Sequence, residues 1–122
     1  MLKSYLKEFM HQFSFEEEDQ KFLLESYEQL KDSQEAFQEF EGFIKTYEGD
    51  CKCDFKLIRA RMIEVSKAAG IHEYTGFLIL FICLSKSLKR YYQEAGYSEE
   101  IWFTSMCDLK YQLEECKEVH GS

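Results

Sequence analysis

The chain has 122 residues, of which 45% are hydrophobic, 16% are aromatic and none is proline, and its formal net charge is −8. That length leaves room for one domain with a real core, and the missing proline removes the commonest helix breaker. The acidity argues against nucleic acid and anionic membrane as partners, because both select basic surfaces.

In chain order, residues 2–13 read as a first helix, with Leu2, Tyr5, Leu6, Phe9, Met10 and Phe13 on one side. Ser14, with Glu17 three positions on, has the pattern of a capping box opening a second helix. Glu16, Glu17, Glu18 and Asp19 then occupy the first turn, where the helix dipole favours negative charge. Phe22, Leu23, Ser26, Tyr27 and Leu30 carry the buried face to about Asp32. Ser33 caps a third helix whose face is Ala36, Phe37, Phe40, Phe43, Ile44 and Tyr47; Gly42 interrupts it and Gly49 ends it. Residues 48–53 read as the one clear loop. Asp54 is placed to cap a fourth helix that buries Phe55, Ile58, Met62, Val65 and Ala69 before Gly70.

The fifth segment is the one around which the chain is organised. Phe77 to Leu84 is apolar at eight consecutive positions, far short of the ~20 needed to cross a bilayer. The flanking apolar residues Tyr74, Leu88, Tyr91, Tyr92 and Ala95 keep the three-and-four spacing of a helix, so residues 73–95 read as one central helix stopped at Gly96. Ser98 caps a sixth helix, with Glu99 and Glu100 in its first turn. Its apolar positions Trp102, Met106, Leu109, Leu113, Cys116 and His120 make a narrow seam. The expected fold is all-α: a single-domain bundle of about six helices around the hydrophobic helix 73–95.

The charge is uneven. Residues 1–50 carry 5 Lys against 13 Asp and Glu, giving −8, while residues 51–122 carry 10 of each sign, giving zero. Solvated helix faces account for this. Five cysteines (Cys51, Cys53, Cys83, Cys107, Cys116) are an odd number, and the opening MLKSYLKEF is amphipathic rather than a signal peptide. Both point to a reducing, cytoplasmic location.

Chemistry-bearing patterns are few. Cys51-Lys52-Cys53 has no second ligand pair near it, so no metal site is expected. Adjacent carboxylates such as Glu99/Glu100 and Glu114/Glu115 diverge by about 100° around a helix and do not form acid–base dyads. The glycines are singletons, whereas phosphate cradles cluster them. One polar set stands out. His72 and Thr75 fall at the start of the central helix, where polar side chains satisfy free N–H groups, and Asp108 and Tyr111 lie beside the seam of the sixth helix. An antiparallel pair of helices joined at Gly96-Tyr97-Ser98 brings the two ends together. Caps and buried hydrogen bonds are one reading of this set; a functional cluster is the other.

Residues 71–121 carry a further pattern: Ile71-His72-x-Tyr74-Thr75, an apolar middle, Leu88-Lys89-x-x-Tyr92, Gly96-Tyr97-Ser98-Glu99-Glu100-Ile101, then Asp108-Leu109-x-Tyr111 and a terminal His120-Gly121. This resembles the end of the helical N-terminal domain of a bacterial family of N-acyltransferases. The match is strongest over those residues and looser over the first 70. The resemblance implies that residues 1–122 are the N-terminal domain of a longer two-domain protein whose GNAT-like C-terminal domain holds acyl-CoA and transfers the acyl group to an amine. On that basis this chain has no cofactor of its own and no catalytic residue. Its partner is the GNAT-like domain, met through Ile101, Phe103 and Val119 of the sixth helix, a surface that also offers itself for self-association. Two alternatives stay open: a free-standing helical adaptor, and an enzyme module with a site near His72 and Asp108.

Overall fold

The computed structural model describes residues 2–49 and 55–121, with side chains described for 2–48 and 56–115. Seven helices follow one another: α1 (Leu2–Gln12), α2 (Glu17–Asp32), α3 (Gln34–Gly49), α4 (Phe55–Ala69), α5 (Thr75–Cys83), α6 (Ser85–Glu94) and α7 (Glu99–Gly121). The chain is all-α, with no strand among the described residues. Cys51, Cys53 and the expected cap Asp54 lie outside the described residues. Among those that are described, no helix is long and apolar enough to cross a membrane.

α5 is the centre. It packs against every other helix, and Leu78, Ile79, Leu80 and Ile82 have almost no exposed surface. This is why its sequence is apolar all round: a helix covered on every side has no face left for solvent. Around it the predicted faces turn inward. Leu6, Phe9 and Met10 come from α1, Leu23, Tyr27 and Leu30 from α2, Ala36, Phe40 and Ile44 from α3, and Ile58, Met62 and Val65 from α4. On α7, Trp102, Met106, Leu109 and Leu113, the first four positions of the predicted seam, are buried; the side chains of Cys116 and His120 lie outside the described residues.

The expected continuous helix over 73–95 is divided at Leu84 (φ −96°, ψ 6°). Leu84 stays in the ladder, since Leu84 N–H reaches Leu80 O at 3.0 Å and Leu88 N–H reaches Leu84 O at 2.9 Å, but its dihedrals leave the helical range. Side chains from distant helices bond into it there. Tyr5 Oη accepts Lys86 N–H at 3.2 Å and lies 2.8 Å from Ser85 Oγ. Since Tyr5 Oη is already accepting, its own proton is free to go to Ser85. Trp102 Nε1–H donates to Ser85 O at 3.0 Å. Side chains inserted into the ladder are a recognised cause of a bend in a helix without proline.

The expected capping box at Ser14 and Glu17 does not form. Ser14 has φ 55° and ends α1 instead of opening α2. Ser14 N–H bonds His11 O at 3.2 Å and Phe15 N–H bonds Met10 O at 2.9 Å, the paired bonds of a Schellman motif. Phe15 is buried and sets its ring edge-on to Phe9, 6.0 Å between centroids. α2 begins after Glu16, whose side chain makes no cap bond. The same motif ends α4 at Gly70 (φ 75°) and α6 at Gly96 (φ 87°), where the sequence supplies the residue that accepts positive φ freely.

Candidate functional site

A concavity opens where α4 and α7 flank the start of α5. It is a cleft of about 460 Å³ lined by Arg59 of α4, His72 and Tyr74 of the α4–α5 turn, Phe77 and Leu78 of α5, and Gln112 and Glu115 of α7. Local structure places each group. The Schellman motif at Gly70 turns the chain sharply, and Gln29 of α2 steadies the turn by donating to Gly70 O at 2.9 Å and Ala69 O at 3.2 Å. Ile71 is buried, which leaves His72 and Tyr74 at the rim.

Within the cleft, Tyr74 N–H donates to His72 Nδ1 at 3.3 Å. The neutral imidazole therefore carries its proton on Nε2, where it is available to a ligand. The Arg59 guanidinium lies 4.9 Å from the centroid of the Tyr74 ring, a cation–π contact that holds a long side chain in place. Phe77 and Leu78 supply an apolar floor. Arg59 and Glu115 bring opposite charges to one cavity, yet neither enters an ion pair among the described residues.

The polar residues singled out in the sequence are distributed over different surroundings. His72 lines the cleft. Thr75 is fully buried in the first turn of α5, and its Oγ1 has no hydrogen-bond partner among the described residues. It therefore satisfies no free N–H; the buried amide of Gly76 is met by Ser66 Oγ of α4 at 3.0 Å. Tyr111, 73% exposed, lines a separate depression with Ser14, Glu16, Asp19, Cys107, Lys110 and Glu114. Asp108 is exposed and does not line the cleft, although helical spacing puts it one turn from Gln112 on the same side of α7. The second half of α7 does pass the start of α5, as the antiparallel pairing predicts, but Gln112 and Glu115 are the residues that line the cleft with His72 there. Arg59, Gln112 and Glu115 carry no sequence signal, because each stands on a polar helix face that looks like any solvated one.

Near the start of α7, two apolar side chains are exposed on either flank of the buried Trp102. Ile101 is 46% exposed and Phe103 48%, and the Phe103 ring sits 5.2 Å from that of Phe13. The Val119 side chain lies outside the described residues. Among those described, no group of three or more His, Cys, Asp or Glu side chains could hold a metal ion.

A family model described as N-acyltransferase N-terminal domain matches residues 4–122. The chain belongs to that family. No curated protein and no solved structure matches it.

Proposed function

We propose, from its membership of the N-acyltransferase N-terminal domain family, that this domain does no chemistry itself but packs on a GNAT-like acyltransferase domain in the same full-length protein and positions or regulates it. The observation that carries this reading is the extent of the match, residues 4–122, which runs from α1 through α7. The apolar side chains left open on α7 support it. Phe103 packs on Phe13 at the rim of the core, and Ile101 is exposed on the other flank of the buried Trp102. On this reading acyl-CoA belongs to the partner domain. The start of α5 is a poor place for a coenzyme pyrophosphate, because the Gly76 N–H that would face an anion is taken up by Ser66, and backbone N–H groups free at a helix N-terminus are what such a site requires.

Calorimetric titration separates the alternatives. Acetyl-CoA added to this domain gives no saturable heat, while a protein carrying both domains binds it. Replacing Ile101 and Phe103 together by glutamate weakens association of the separately produced domains at least tenfold without changing the helical spectrum of this one. Saturable micromolar binding of acetyl-CoA to this domain would overturn the proposal in favour of an enzyme module.

A further inference from the structure

We propose that the cleft at the start of α5 binds a small zwitterion, an amino acid with an apolar side chain. Such binding is independent of how the domain meets a partner. Two charges point to it. Arg59 and Glu115 reach the same cavity from α4 and α7, helices that both pack on α5, and the two remain beyond ion-pair distance of each other. Opposite charges sharing a cavity without meeting leave space for a molecule that carries the complementary pair.

The remaining lining residues narrow the ligand class. The Arg59 fork is held against Tyr74, and guanidinium geometry matches a carboxylate. The Nε2–H of His72, directed away from the Tyr74 amide, supplies a second donor to the same acid group. Glu115 and the side-chain oxygen of Gln112 are acceptors suited to an ammonium group. Phe77, Leu78 and the Tyr74 ring form the apolar wall, which an aliphatic or aromatic side chain would cover. The volume of about 460 Å³ lies in the range of small-molecule sites. A simple fatty acid would leave Glu115 facing its carboxylate or its tail, and a simple amine would leave Arg59 without a partner.

The probes are L-phenylalanine and L-leucine, titrated into the whole chain by calorimetry and followed by amide chemical shifts. 3-Phenylpropanoate and phenethylamine, which lack the amine and the acid respectively, are the controls. Saturable binding of L-phenylalanine is expected, with shifts at His72, Phe77, Leu78 and Gln112 and each control at least tenfold weaker, the scale of one lost charge-assisted hydrogen bond. Arg59→Gln should erase the preference for phenylalanine over phenethylamine, and Glu115→Gln its preference over 3-phenylpropanoate. Both side chains are exposed, so the folds should survive; should one not, the wild-type probe series decides alone. Failure of both amino acids to saturate, or binding of either control as tight as phenylalanine, overturns the proposal.

Discussion

The Gly76 amide nitrogen lies 3.0 Å from Ser66 Oγ, and Ser66 in turn donates to Met62 O at 2.7 Å. This pair fixes how closely α4 and α5 approach. A Cβ on residue 76 would fall 2.2 Å from Ser66 Oγ and 3.2 Å from the Met62 terminal methyl. Gly76→Ala should therefore destabilise the fold by about 1–3 kcal/mol, the cost of overpacking, even though alanine is the better helix former by about 1 kcal/mol. Ser66→Ala strips the buried amide of its acceptor and should cost about 1–3 kcal/mol. The double variant should lose clearly less than the sum, because the hydroxyl that collides is gone. Gly42→Ala is the control: nothing lies within 4 Å of its added Cβ, so it should gain up to about 1 kcal/mol. Urea denaturation followed by the emission of Trp102, the sole tryptophan, reads all four; a neutral Gly76→Ala would dismiss the close-contact account.

Ser14 holds a left-handed conformation (φ 55°) at the end of α1, where an L-residue pays about 1–2 kcal/mol. Glycine avoids that strain but gives up some of the gain through a freer unfolded chain, by about 0.4–1 kcal/mol. Ser14→Gly should thus stabilise by roughly 0.5–1 kcal/mol. The main-chain oxygen that accepts from Lys110 Nζ at 3.3 Å is unchanged by the substitution. A loss of stability in the same urea assay would show that the hydroxyl matters more than the backbone.

These two sites also mark where reading the sequence works and where it stops. Helix faces are legible because burial imposes a period: Trp102, Met106, Leu109 and Leu113 can be placed without coordinates, and so can the ends at Gly70 and Gly96. Ser14 misleads because serine suits an N-cap as a residue type, while only the paired bonds to Met10 and His11 reveal a C-terminal role. The division at Leu84 depends on Tyr5 and Trp102, 80 and 17 positions away from Ser85, and no local pattern encodes such partners. In the cleft, His72 stands out as a rare residue type at a helix start. Arg59, Gln112 and Glu115 do not, because convergence of two polar faces, one on α4 and one on α7, is a property of the packed helices alone.

Burial pushes the Cys83 thiol from its ordinary 9.0 up to about 12. The residue as a whole keeps a partial opening to solvent, but the thiolate is the reactive species. Alkylation of native Cys83 at pH 8 should accordingly be slow, and slower than that of Cys107, which lines an open depression. The same displacement has a stability consequence. Between pH 9 and 12 the folded chain keeps a proton that the unfolded chain has released. Stability then falls as pH rises, by at most about 1.4 kcal/mol per unit from this group, and is unaffected by it below pH 9. Cys83→Ala should flatten that alkaline decline in urea titrations; an unchanged slope would assign it to other groups.

Thr75 buries a hydroxyl without a partner among the described residues. Valine has nearly the same shape and no polar atom to desolvate, so Thr75→Val should be neutral or stabilising by up to about 2 kcal/mol. A thermal midpoint lowered by several degrees would mean that the hydroxyl has a partner, such as a buried water, that valine cannot replace.

α5 touches each of the other six helices, and this makes the molecule's unfolding hard to divide. A bundle with pairwise neighbours can shed an outer helix and keep a folded remainder, but here every subset that excludes α5 has lost its common wall. The chain should therefore pass between folded and unfolded in one cooperative step. The amides of Leu78 to Ile82 should exchange with deuterium only through global opening, at a rate set by the whole molecule's free energy rather than by any local breathing.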